Sequence, residues 1–292
     1  TGNVTVQNLN IKSPFANVAI NGGIYANNVL NFDVVVDDID LSKMPSYLPY
    51  PIEGRASFAG HVSGTIDNII FSSKLKADKL IFNGEALTDV TGQCNYRNGM
   101  FSISDLQWMQ ETGKVVFNGQ INASNGALAG KLKVDGVKAE SLAAMTNFKN
   151  NYLTGIFNGE MDLSGVLSNP NVHLLGTIDD GYLKKYPLKK MSIDASYNDN
   201  TVVINQFYGE QNNGKVAAKG TWTLNGPLNV VFSAQDIDAS LFTGLMNYDA
   251  DVKGSVNAYA QVTGTMESPQ ANVSFEVSNG GIGTATFDKL TA

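Results

Sequence analysis

One cysteine, two histidines and two tryptophans are spread over 292 residues, and each scarcity closes off a class of function. The lone thiol, Cys94, cannot build an internal disulfide framework. It falls between Gly92 and Tyr96 on an apolar face, where a small core residue is expected rather than a nucleophile. His61 and His173 fall at polar strand positions, where a solvated imidazole is the ordinary outcome, so neither a metal centre nor a histidine base is expected. Charged residues are only 16% of the chain, the formal net charge is −7 and the pI is about 4.8, which argues against an electrostatic grip on nucleic acid. No apolar run approaches the roughly 20 residues of a membrane-spanning helix. Gly22-Gly23 and Gly280-Gly281 do not precede helical patterns, so no phosphate cradle is expected. Asp37-Asp38, Asp179-Asp180 and Asp236/Asp238 lack the spacing of a calcium loop and read as turn residues at strand ends. The chain reads as a non-enzyme without a cofactor. It does not read as disordered, because 43% of it is hydrophobic and regularly patterned, with a polar side rich in Ser, Thr and 32 Asn.

The positive signal is a stretch that comes back. Gly54 to Gly64 reads GRASFAGHVSG, Gly155 to Gly165 reads GIFNGEMDLSG, and Gly254 to Gly264 reads GSVNAYAQVTG, at offsets of 101 and 99 residues. Alternate positions give Ala56, Phe58, Gly60 and Val62; then Phe157, Gly159, Met161 and Leu163; then Val256, Ala258, Ala260 and Val262. Between them lie Arg55, Ser57 and His61, with Asn158, Glu160 and Asp162, and Ser255, Asn257 and Gln261, in the other copies. Period two with one apolar face is the pattern of a half-buried strand. Recurrence near 100 residues marks a repeat array. The chain divides into 1–53, the end of a preceding repeat; 54–154 and 155–253, two full repeats; and 254–292, the start of another. It reads as a piece of a longer protein, with any anchor or targeting segment outside it.

The rest of each repeat keeps the same alternation. In the first, the apolar positions include Phe71 and Leu75, then Tyr96, Phe117 and Ile121, and finally Leu132 and Val134. The second answers with Val172 and Leu174, Ile193 and Tyr197, Val216 and Trp222, Val230 and Phe232; the third begins with Val273, Phe275 and Val277. Together with Phe58, Val62, Phe157, Met161, Leu163, Val256 and Val262, these are the candidate lining of one apolar face. The strand pattern breaks at 138–149 and 239–248, which read as short helices. Ser141 and Ser240 are the expected N-caps; Leu142, Met145 and Phe148, and Leu241, Leu245 and Tyr248, are the expected apolar faces.

About 18 strands at ~4.8 Å spacing expose more apolar face than a protein leaves to water, so that face must be covered. Tandem immunoglobulin-like sandwiches would do it, as a stalk or adhesin without a ligand. A sheet curling lengthwise around a groove would also do it. Glycines at inward positions (Gly60, Gly92, Gly119, Gly130, Gly159, Gly176, Gly220) favour curling, by easing the bend or leaving room for a guest. Lys184-Lys185 and Lys189-Lys190 read as solvated pairs or as contacts for anionic head groups at a groove edge.

The Gly-bounded strand, the segments NPNVHLLGTI at 169–178 and SPQANVSFEV at 268–277, and a KLKVDGVKAESL-type exit from strand to helix resemble the TamB branch of the AsmA-like envelope proteins. The resemblance covers the whole chain and rests on repetitive motifs, none of them catalytic. It implies an all-β, elongated, taco-like sheet with a hydrophobic groove and short helices at repeat junctions. It also implies a bridge-like conduit carrying phospholipid between inner and outer membranes, in the periplasm of a diderm bacterium. Its expected partners are acyl chains, the membranes reached through other parts of the protein, and an outer-membrane protein of the Omp85 class.

Overall fold

The computed structural model describes residues 2–43, 51–145, 153–245 and 252–292. The fold is all-β and repeat-like, with eighteen antiparallel strands among the described residues. The chain forms two compact units. The first comprises Thr1–Val137, Ser141–Lys149 and Asp162–Ser168; the second comprises Lys138–Glu140, Asn150–Met161 and Asn169–Ala292.

The first unit contains β1 (Val4–Lys12), β2 (Asn17–Tyr25), β3 (Val29–Asp40), β4 (Ile52–Thr65), β5 (Asn68–Phe82), β6 (Glu85–Arg97), β7 (Met100–Gln110), β8 (Gly113–Asn122) and β9 (Leu128–Lys138). Each pairs with its neighbour in sequence. Helix α1 (Ala139–Met145) follows β9, and β10 (Leu153–Val166) follows it. In the second unit come β11 (Asn169–Leu183), β12 (Tyr186–Asn198), β13 (Thr201–Gln211), β14 (Gly214–Thr223) and β15 (Pro227–Asp238), then α2 (Ala239–Leu245), β16 (Val252–Thr265), β17 (Pro269–Ile282) and β18 (Ala285–Thr291). There too β11 to β18 pair in sequence order. An immunoglobulin-like sandwich needs Greek-key crossovers between two sheets, and this uninterrupted meander within each unit does not fit it.

Element lengths recur. The three Gly-bounded strands β4, β10 and β16 each have 14 residues, β5 and β11 have 15, β6 and β12 have 13, and both helices have seven. The bounding glycines are required by the backbone. Gly64, Gly165 and Gly264 have φ of 91, 92 and 95°, and a Cβ at Gly64 would run into the carbonyl oxygen of Asn68.

The Asp pairs expected at strand ends lie inside strands and do a different job there, one that Asn8 and Asp105 share. Asn8, Asp38, Asp105 and Asp236 have positive φ and mark register shifts in β1, β3, β7 and β15. Asp180 also has positive φ, within β11. At Asn8, Asp38, Asp105 and Asp236 the bulge frees a backbone N–H, and a side chain on the next strand takes it up. Asn21 Oδ1 accepts from Asn8 at 2.7 Å, Asn118 Oδ1 from Asp105 at 2.9 Å, Asn257 Oδ1 from Asp236 at 3.0 Å and Ser57 Oγ from Asp38 at 3.4 Å. Bulges bend strands and increase their twist, and short amides tolerate the left-handed backbone, so part of the high Asn content is explained.

The buried core lies towards the helix-side ends of the strands. In the first unit Ala56, Ala77, Leu80, Leu87 and Val90 form it, with Leu41, Trp108 and Met145 of α1 packed on. In the second, Ala234, Ile237 and Leu241 of α2 form one cluster, and Ala239, Val256 and Val277 another, with Phe242 against both. The apolar face of α2 is therefore Leu241 and Phe242. The expected Phe148 and Tyr248, and the side chain of Leu245, lie outside the described residues. The N-cap expectation is corrected as well. Ser141 and Ser240 fall inside the helices, and Asp238 is the cap of α2, accepting from the Ser240 N–H at 2.9 Å.

Candidate functional site: the open half of the apolar face

Registers turn the predicted lining into rows. In the first unit Phe32, Val62, Phe71, Tyr96, Phe101, Ile121 and Leu128 stand opposite one another, strand by strand. A second row runs Val34, Gly60, Ser73, Cys94, Ile103, Gly119, Gly130, and a third brings Phe58 beside Leu75 and Phe117 beside Leu132. In the second unit the rows are Val172, Tyr197, Val202, Trp222, Leu228; then Leu174, Ala195, Ile204, Gly220, Val230, Val262; then Gly176, Ile193, Phe207, Ala218, Phe232, Ala260, Val273. Most of these side chains are half-buried, neither sealed in a core nor standing free.

The face is thus divided lengthwise in each unit. Towards the helices it is closed; towards the opposite turns it is largely open, with Leu30, 9% exposed, an exception. Three predicted lining residues fall on the closed side: Val134, Val256 and Val277 are only 6, 7 and 8% exposed and serve as core, not as lining. Val216, Phe232 and Phe275 are half-buried but pack on the clusters beneath α2, and the Phe232 and Phe242 rings meet edge to face at 6.3 Å. Val273 is 54% exposed. Met161 is half-buried on β10.

The open side carries hollows. One of about 200 Å³ in the first unit is lined by Phe101, Ile103, Phe117, Ile121, Leu128 and Leu163, among others. A smaller one of about 90 Å³ in the second unit lies at the margin of the closed side, against the buried Ile178 and Met191 as well as Leu153, Phe157, Ile193 and Phe207. Phe101, Ile103, Leu128 and Phe207 were within reach of the sequence, since they obey the same alternation as the residues that were singled out.

The inward glycines do not leave room for a guest. A Cβ on Gly119 would meet the Phe117 ring at 2.6 Å, one on Gly60 the Phe71 ring at 2.8 Å, and one on Gly176 the Phe157 ring at 2.5 Å. Gly130 and Gly159 lie under the same Phe117 and Phe157 rings. Each phenyl fills the gap that its glycine provides, an arrangement that stabilises strand glycines and leaves the hollows between rings. Gly92 is likewise covered by Leu106, while Gly220 is held by close backbone at Asn229 and Val230.

The polar face holds the histidines, which are paired rather than simply solvated. His61 Nδ1 lies 2.8 Å from Asp33 Oδ1, and His173 Nε2 lies 2.9 Å from Asp194 Oδ1. The Asn205 amide donates to Asp194 at 2.8 Å, and this bond, then His173, holds the Asp194 carboxyl below its usual value of 3.8. A depressed carboxylate pKa stabilises the fold above the unfolded value and loses that contribution as pH falls through the folded one. Asp194→Asn should therefore be less stable than the parent at pH 7, with the difference shrinking as the pH falls below 3.8. Paired urea melts at pH 7 and at progressively lower pH check this, and a difference that does not shrink would assign the loss to packing.

Burial pushes the Cys94 thiol up, which keeps it protonated and suits the small core role. Lys185 Nζ sits 5.6 Å from the Tyr186 ring centre, so this lysine is engaged by its neighbour. Among the described residues no group of three or more His, Cys, Asp or Glu could hold a metal ion. Among them too, no helix is long and apolar enough to cross a membrane. No family model, curated protein or solved structure matches the chain.

Proposed function

We propose that the chain carries phospholipid, with acyl chains lying along the open apolar rows and head groups left in water. The observation that carries this reading is the half-buried apolar band in each unit, with a hollow of about 200 Å³ walled by Phe101, Phe117, Ile121 and Leu128. An apolar cavity of about 150 Å³ stays dry and accepts a benzene-sized guest, so a hollow of this size takes roughly six carbons of a chain. At about 0.8 kcal/mol per methylene, that stretch is worth about 5 kcal/mol, enough to retain a tail. Similar rows in the two units offer the tail comparable seats, which favours sliding over trapping. The rows, the recurring strands and the junction helices fit a curled, grooved repeat array.

With the resemblance to the TamB branch, the reading becomes a segment of a bridge-like conduit in the periplasm of a diderm bacterium. The protein would be tethered to the inner membrane by a segment outside this sequence and would contribute to outer-membrane biogenesis. An Omp85-class protein is its proposed outer-membrane partner. Chemistry at the lipid is not part of the role, and no cofactor is invoked. Mass spectrometry of organic extracts from the purified chain tests it. Co-purifying phospholipid is the expected result. Protein that stays lipid-free after incubation with phospholipid vesicles would overturn it.

A further inference from the structure

At the open-side ends of β14 and β16 lies a third hollow, of about 200 Å³, lined by Trp222, Asn225, Gly226, Thr265, Met266 and Glu267. It differs from the other two in kind: a ring and a thioether share it with an amide, a hydroxyl and a carboxylate. Register places Trp222 in the apolar row between Val202 and Leu228, so the hollow adjoins the place where a tail would lie. The Trp222 indole N–H is buried without a partner, so what the residue offers the hollow is ring surface. Glu267 is exposed at the turn. The turns on this side of the second unit, 199–200, 224–226 and 266–268, contain Asp199 and Glu267 and no Lys or Arg. The lysine pair Lys184-Lys185 sits at the opposite end of β12, away from this rim.

The geometry points to a rim site for a cationic amine head group, of the phosphoethanolamine type, on a lipid whose tail occupies the neighbouring row. This rests on the lipid-carrying reading and names which lipid that site prefers. An ammonium meets the Glu267 carboxylate and the electron-rich face of Trp222, with the Asn225 and Thr265 oxygens as further acceptors. A purely anionic head group finds no counter-charge among these lining residues and would be disfavoured by Glu267.

The test incubates the purified chain with vesicles of phosphatidylethanolamine and phosphatidylglycerol, in equal amounts and with matched acyl chains. The lipid bound to re-isolated protein is then quantified by mass spectrometry. The parent should be enriched in the ethanolamine lipid about three- to five-fold, the scale of one exposed ion pair. Glu267→Gln should bring the ratio close to that of the vesicles, and Glu267→Lys should invert it. Lipid bound by the parent in vesicle proportions would overturn the rim site while leaving the conduit reading intact. Recovery of no lipid at all would instead remove the reading on which the site depends.

Discussion

Ile237→Ala should lower the unfolding free energy by about 3 kcal/mol, whereas Val230→Ala, seven positions earlier on the same strand, should cost under about 1 kcal/mol. Ile237 has 0% exposure and packs in a cluster with Ala234 and Leu241, against Val216, Phe232 and Phe242. It follows the bulge at Asp236, which turns it into the core, and it precedes the cap residue Asp238. Truncation leaves a cavity that cannot collapse, because strand, bulge and helix start are fixed by hydrogen bonds on both sides. Val230 lies on the open side, half-buried opposite Gly220 and Val262, where solvent already reaches the face. Val137, also 0% exposed, holds the corresponding position before α1, and Val137→Ala should likewise cost far more than Val230→Ala. Urea denaturation with unchanged m-values reads all three. Equal losses at Ile237 and Val230 would mean that the face is not divided into closed and open halves.

That division is where the sequence stopped being legible. Period two places Val134 and Leu132 on the same face of β9, and it did so correctly. It carries no information about position along the strand, which makes Val134 core and leaves Leu132 half-buried. The helices that close part of each unit are as hard to read: Met145 packs on the core of the first and Leu241 and Phe242 on that of the second, and Phe242 falls about 100° from Leu241 on the helix, off the anticipated stripe. The glycines mislead for a related reason. Gly119 and Gly130 look like open space in a linear reading, and only the register shows Phe117 lying across both. The three Gly-bounded strands were readable, because their bounding glycines answer a backbone demand that no other residue meets without strain. Buried glutamines were not. Gln211, 4% exposed, accepts the Asp238 N–H at 3.3 Å and ties the end of β13 to the start of α2, yet nothing in its neighbours announces that role.

The largest functional effect is expected where a charge enters the open half. Ile121 lines the hollow of the first unit and stands between Phe101 and Leu128 in its row. Ile121→Asp leaves a carboxylate that water hydrates while the hollow is empty, so folding should survive. A tail entering the hollow must strip that water away and cannot replace it, and an uncompensated ion in an apolar setting costs several kcal/mol. Phe232→Asp would be a poorer choice, since Phe232 supports Phe242 of α2 and its loss confounds packing with transport. Lys131→Asp is a poor control, because Lys131 pairs with Asp162 at 3.6 Å. Gln93→Asp serves better: exposed on the polar face of β6, opposite Lys74 and Ser104, it adds the same charge outside the rows and outside the lining of the hollow. With a photo-crosslinkable phospholipid, the parent and Gln93→Asp should be labelled in peptides from both units. Ile121→Asp should lose at least about ten-fold of the label in peptides spanning β7 to β9 and keep it in peptides spanning β11 to β15, with circular dichroism unchanged. If Ile121→Asp and Gln93→Asp take up label alike in the first unit, tails do not travel over this hollow, and the open face must serve something other than lipid.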